Sequence, residues 1–343
     1  MTASIKTIDT PQFAAQLRDR AINVGARRIL ISRLAGSGQE ADITAPVNCD
    51  GHGRVRHFKF ATAEGWPRNP LPIVPACRAL GITPPDVMLA QVFQNAACAW
   101  RCWYCFVPEE LLSADESRAS WLTAEELVDL YAAETDAPRV IDLSGGSPDL
   151  VPEWTPWMMA ALHARGLDQS TYLWGDDNLS TTYLFDKLDA ADLDLVRGYK
   201  NYGRVCCFKG YDERSFVFNT RARGEGFDEQ FAIMRRVLDL GIDVYGYVTL
   251  TSPYEDGVEA GVAALVDRLQ ALDENLPLRV VPLKIQVYTP VTKRLMLHGE
   301  REKSMAVQDR AIAAWNGEIS RRFDVALRSV EIVDVPLKTR GHS

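Results

Sequence analysis

Apolar and polar residues along this chain follow two rhythms, and the rhythm changes near residue 85. Before it, Thr10 to Asn23 sets Phe13, Leu17 and Ile22 roughly on one helical face, while Arg27–Leu34 and Arg54–Phe60 read as strands. The passage from Trp66 to Pro75 holds four prolines in ten residues. Proline lacks an N–H and fixes its own backbone angle, so this density predicts an extended connector. From residue 85 onward, strand, loop and helix repeat. Strands are expected at Asp86–Gln94, Arg139–Leu143, Ser170–Gly175, Gly203–Phe208, Ile242–Thr251 and Leu278–Thr289. Helices are expected from Thr123, over Glu153–Arg165, within Leu179–Leu193, and over Phe227–Leu240, Val258–Leu272 and Glu302–Arg321. Thr123-Ala-Glu-Glu126 carries a capping box, in which each side chain satisfies the other's orphan N–H. Phe227, Phe231, Met234 and Leu238 share a helical face, and Gly241 follows as a natural terminator. Six strand–helix units in order imply an α/β fold with a parallel sheet and right-handed crossovers.

Alternation within the strands sorts their faces. Val244, Val248 and Leu250 lie opposite Tyr245, Tyr247, Thr249 and Thr251, and Leu283, Ile285 and Val287 lie opposite Lys284, Gln286 and Tyr288. The apolar faces should meet the helices, leaving a polar interior with aromatic walls. Cys206 and Cys207 are adjacent and point opposite ways, and the register of Lys209 turns Cys207 inward. Cys207 could donate a hydrogen atom or be an inert buried thiol.

With 343 residues, 47% hydrophobic and 24% charged, the chain is long enough for one large domain or two small ones. A net charge of −8 without a basic stripe argues against a nucleic-acid partner. No run reaches the roughly 18 apolar residues of a membrane span, and Met1 to Arg20 lacks the apolar stretch of a signal peptide. Seven cysteines, an odd number, point to free thiols in a cytoplasmic protein and away from a disulfide framework.

Three of those cysteines form the run Cys98-Ala-Trp-Arg-Cys102-Trp-Tyr-Cys105. Zinc would want a fourth Cys or His nearby, and none of the five histidines lies within about 30 residues of Cys105. Iron–sulfur clusters usually take four cysteines, so three at this spacing predict an iron with an open coordination position. The run, with Tyr104 just before its third cysteine, resembles the signature of the radical S-adenosylmethionine (SAM) superfamily.

The resemblance implies a partial (β/α)6 barrel over residues 85–325, with 1–84 as an N-terminal accessory region and 326–343 as a tail. It also implies a [4Fe–4S] cluster on Cys98, Cys102 and Cys105 that chelates SAM and cleaves it reductively to a 5′-deoxyadenosyl radical. An electron donor of the flavodoxin or ferredoxin type is implied as well. Ser144-Gly145-Gly146-Ser147-Pro148 is similar to the family's Gly-Gly-Glu-Pro segment, which contacts the methionyl end of SAM; here Ser147 replaces the Glu. Outside that resemblance the segment reads as a plain turn. Phe208-Lys209-Gly210 resembles the Asp-x-Lys-Gly segment of glycyl-radical-enzyme activases, with Cys207 at the aspartate position; Lys209 could equally be a solvated strand-end residue. Asp176, in Trp174-Gly-Asp-Asp-Asn178, offers a carboxylate to ribose hydroxyls or serves a turn. Tyr104, Ser144, Gly145, Gly146, Ser147, Asp176 and Lys209 are thus the expected SAM contacts. Lys209, Cys207, Tyr288 and Lys284 are the expected catalytic group. The expected substrate is a small polar metabolite, such as a sugar, nucleotide or natural-product intermediate; the alternative is a glycine of a partner glycyl-radical enzyme.

Overall fold

The computed structural model describes residues 7–61, 66–296 and 300–338. Residues 1–6, within the segment read as lacking a signal peptide, and 339–343 of the expected tail lie outside the described residues. Among the described residues ten strands are formed: β1 (Ile22–Asn23), β2 (Arg28–Ser32), β3 (Gly53–Lys59), β4 (Val87–Phe93), β5 (Ala119–Thr123), β6 (Val140–Leu143), β7 (Tyr172–Asp177), β8 (Tyr202–Lys209), β9 (Val244–Thr249) and β10 (Val280–Leu283). The main sheet runs β10-β9-β8-β7-β6-β4-β3, and β1, β2 and β5 make a small second sheet. From β4 to β10 the main sheet is parallel and in sequence order, which is the partial barrel with six parallel strands.

Strand alternation divides the core in two. Val244, Val248 and Leu250 join Leu143, Leu173 and Phe208 beneath the helices. Tyr245 and Tyr247 turn inward with Tyr172, Trp174, Val205 and Cys207. The outer layer includes Leu127 and Val128 of the helix Ala124–Ala132, whose capping box between Thr123 and Glu126 is formed. Val262, Leu265, Val266 and Leu269 of the helix Val258–Leu272 lie in the same layer.

The N-terminal region is woven into this fold. Strand β3 pairs antiparallel with β4 and closes one sheet edge, while β2 pairs with β5 from beyond the cysteine run. The proline-rich passage is only partly a connector, because a helix, Ile73–Leu80, starts inside it. Pro75 is tolerated there because the N–H groups of a first helical turn have no intrahelical partner. This helix sends Ile73, Val74, Ala76 and Cys77 into the inner core. The lower interior is therefore apolar, and polar residues gather only toward the C-terminal strand ends.

Element boundaries shift by a residue or two in several places, and three differences have a clear cause. The sixth parallel strand is Val280–Leu283, not Leu278–Thr289, because its partner β9 ends at Thr249, opposite Leu283. Residues 284–288 run on without a ladder into the helix Thr289–Met296. The helix sought within Leu179–Leu193 falls mainly at Ala190–Gly198, where the Asp189 side chain caps its first turn. The N-terminal helix stops at Ala21, and Ile22–Asn23 instead pairs with Arg28–Ile29. No described helix is long and apolar enough to cross a membrane.

Candidate active site

The cysteine run sits in the loop after β4, at the end of the sheet where barrel enzymes carry their active sites. Its backbone is held from three sides. Asn95 accepts from the Ala97 N–H at 2.8 Å and donates to the Ser147 carbonyl at 2.8 Å. The N–H groups of Arg101 and Trp103 donate to the carbonyls of Thr220 and Asn219, at the end of the helix Glu213–Thr220. On the third side, Arg294 donates to the carbonyls of Cys105 at 2.6 Å and Val107 at 3.0 Å.

Cys98 is buried, and Cys102 and Cys105 are half-buried. Burial pushes the Cys102 thiol up to about 12, and the Cys98 thiol is raised for the same reason. Such thiols stay protonated and inert unless a cation replaces the proton. Ser147 donates to the Cys98 Sγ at 3.2 Å and accepts from the Ala99 N–H at 3.3 Å. Asn178 donates to the Ser147 hydroxyl at 2.9 Å. Ser147 is thus fully buried beneath the cysteine loop and acts as a positioning residue for it. Among the described residues, no three His, Cys, Asp or Glu side chains converge where a single ion would sit. Three thiols on one loop, each free to ligate a separate iron, are a donor set that fits a cluster.

Gly145 and Gly146 have φ of +88° and +68°. A Cβ on Gly146 would lie 2.2 Å from the Asn95 Oδ1 and 2.4 Å from its carbonyl oxygen. Glycine is required here by the approach of the β6 loop to the cysteine loop.

Beside the loop lies a cavity of about 560 Å³. Tyr104, Ser144, Gly145, Asp176, Cys207, Lys209, Lys284 and Tyr288 all line it, as do Cys105 and Asn178. Ser147 lies just behind Asn178. The structure also joins residues the sequence reading passed over. Arg54 and Arg56 of β3 enter from the N-terminal region, and Arg56 pairs with the buried Asp142 at 3.2 Å. A carboxylate inside the apolar run Val140-Ile-Asp-Leu143, and arginines at alternate positions of a strand, were the available signals.

Asp176 accepts from Ser144 at 2.5 Å, and burial raises its carboxyl. Burial lowers the proton affinity of Lys209, and its neighbours Tyr104, Cys207 and Cys102 raise it by more. The Lys209 Nζ lies 6.0 Å from the Tyr104 ring centroid. Lys284 is engaged elsewhere: its Nζ pairs with Asp309 at 2.7 Å and lies over Trp66. Tyr288 packs edge-on against Phe106. Tyr247 is tied to the N-terminal passage, accepting from the Asn69 Nδ2 at 3.1 Å. Behind the sheet, Arg204 and Asp177 form a buried pair at 2.6 Å, and Asp149 accepts from the N–H and hydroxyl of Ser180. This network fixes the β7 loop that carries Asn178.

A loop of three cysteines at the C-terminal edge of a six-stranded parallel half-barrel defines a recognisable class of cluster enzyme. Residues 95–260 match the family model of the Radical SAM superfamily. Members use a [4Fe–4S] cluster and SAM. Among solved structures, the chain is similar to Streptococcus suis SuiB bound to the precursor peptide SuiA, with 14% identity over 53% of this chain and 36% of that one, at a TM-score of 0.36. SuiB bound to S-adenosylmethionine gives 13% identity over 58% and 41% of the two chains, at 0.38. TYW1 with a lysine-pyruvate adduct bound gives 14% over 64% and 72%, at 0.37. The chain thus spans about two fifths of the SuiB chains it matches. No curated protein matches it in sequence. The likeness to this superfamily rests on the domain match over residues 95–260.

Proposed function

We propose that this protein cleaves SAM reductively at a [4Fe–4S] cluster held by Cys98, Cys102 and Cys105, and acts on a small polar metabolite in the adjoining cavity. When bound, the cluster and SAM supply a carbon-centred radical able to abstract hydrogen or add to a substrate. The observation that carries the reading is the position of the cysteine loop at the mouth of a cavity walled by both the strand ends and the N-terminal region. Ser147, Asn178, Arg101 and Arg294 hold the loop. Ser144, Gly145 and Asp176 offer a hydroxyl, backbone groups and a carboxyl to SAM, with Tyr104 and Lys209 on the facing wall. Cys207, Tyr288 and Tyr247 are the groups placed to meet the substrate. The N-terminal passage, tied down through Asn69 and Tyr247, lines the cavity with Trp66, Pro67 and Asn69, which suits a small molecule better than a glycine on a partner enzyme. A flavodoxin- or ferredoxin-type reductase would supply the electron, in the cytoplasm.

The test is anaerobic reconstitution with iron and sulfide, reduction with dithionite, addition of SAM, and mass quantification of 5′-deoxyadenosine. We expect about four irons per chain and cleavage that depends on every one of the three cysteines. Cys98→Ala, Cys102→Ala and Cys105→Ala should each lose both iron and 5′-deoxyadenosine. Undiminished cleavage in any of them, or bound zinc without sulfide, would overturn the reading.

A further inference from the structure

Arg54 is only 9% exposed and lines the cavity. Among the described residues its guanidinium has neither a hydrogen-bond acceptor nor an ion-pair partner, and its Nε is buried without one. Neither nearby acid bonds it: Asp142 pairs with Arg56 at 3.2 Å through Oδ2, its Oδ1 being buried without a partner, and Asp176 accepts from the Ser144 hydroxyl. Among the described residues its stacking partner is Phe106, whose ring centroid lies 5.1 Å from the guanidinium carbon. A ring below a guanidinium orients its plane but gives its N–H edge nothing to donate to.

A cation taken out of water without a counter-ion is strongly unfavourable, and folded proteins keep such groups where something else completes them. Burial, followed by repulsion from Arg56, lowers the Arg54 pKa to about 10, against the opposing pull of Asp142 and Asp176. The surroundings are cationic on balance: Arg54, Arg56, Lys59, Lys209 and Lys284 line the cavity against Asp42 and Asp176, and the buried Asp142 pairs with Arg56. Lys284 and Asp142 are each already paired. A guanidinium fork matches the oxygens of a carboxylate or phosphate with two parallel hydrogen bonds.

We propose that Arg54, flanked by Arg56, binds an anionic group of the substrate, which makes the substrate class a small metabolite bearing a carboxylate or phosphate. The proposal rests on the cavity being the substrate site of a SAM-cleaving enzyme, and it assigns the role of β3: the N-terminal strand brings a guanidinium fork to the cavity wall. Because Phe106 directly follows Cys105, an anion on Arg54 would anchor the substrate against the cluster loop.

The experiment is isothermal calorimetry on the reconstituted, unreduced holoenzyme saturated with SAM, titrated separately with inorganic phosphate and with acetate. Saturable binding of either supports the proposal, and the tighter of the two names the group. Arg54→Met should weaken that binding about tenfold or more, with Arg54→Lys between. Without anion, Arg54→Met should melt no lower than the parent, since it removes a buried charge that has no partner. A lower melting temperature would mark a structural residue and overturn the proposal. So would equal anion affinity in Arg54→Met, or no saturable binding of either anion. Loss of SAM affinity in Arg54→Met would also overturn it, by moving the residue to the SAM carboxylate. Iron content and 5′-deoxyadenosine are measured on the same preparation. A protein that cleaves SAM but ignores anions fails this proposal alone, whereas absent iron fails the reading beneath it.

Discussion

Ser147 shows how one substitution changes what a motif does. The Gly-Gly-Glu-Pro resemblance placed a SAM contact there, yet the shorter serine turns under the cysteine loop and donates to Cys98. A hydroxyl donor to a ligating sulfur belongs to the outer shell that orients and tunes a metal centre. Asp142 is the second informative residue. Burial and the nearby Asp176 push its carboxyl up to about 7, against the opposing pull of Arg56. The folded protein therefore holds this proton at pH values where the unfolded chain, at an ordinary 3.8, has released it. The stability contributed is fully present below 3.8 and is lost as pH rises toward 7. Asp142→Asn, which imitates the protonated form, should flatten the fall in stability across that window. Urea midpoints at several pH values, compared with the parent, check this. An identical pH slope in the two proteins would show that Asp142 does not carry it.

At the scale of elements, the site depends on two loops pressed together. The loops after β4 and β6 approach so closely that a Cβ on Gly146 would overlap both the side chain and the carbonyl of Asn95. Gly146→Ala must strain a left-handed backbone and push the loops apart, and the backbone strain alone costs about 1–3 kcal/mol. We expect a lower urea midpoint together with weakened iron retention, because Ser147 would move off Cys98. Iron per chain after gel filtration reads the second effect, and full retention would mean that the loop contact does not organise the cysteines. The glycine pair was legible as a special backbone, but its cause was not. Spacing could not say whether a ligand or another loop approached.

For the whole molecule, the boundary near residue 84 marks a change of rhythm more than a seam. Strand β3 pairs with β4 along seven residues, and the helix Ile73–Leu80 fills the inner core. Removing residues 1–84 would uncover the β4 edge and the inward faces of Tyr172, Trp174 and Val205. An unpaired strand edge beside exposed apolar surface invites aggregation. A chain of residues 85–325 should therefore be insoluble, or lack the cooperative unfolding transition of the full protein. Soluble expression with a sharp thermal transition would establish the half-barrel as an independent domain.

What the sequence determined by itself was whatever local chemistry and periodicity can encode. The cysteine spacing, the order of six strand–helix units, the capping box at Thr123 and the inward face of Cys207 are all set by residues near one another in the chain. Tertiary structure decided what brings distant segments together. It set Arg54 and Arg56 opposite Asp142 and Asp176, ended β10 where β9 ended, and turned a proline-rich passage into a helix that fills the inner core. Periodicity reports which face of an element is buried, whereas the partner that buries it is chosen only when the sheet closes and the free energy of packing is shared across segments far apart in sequence.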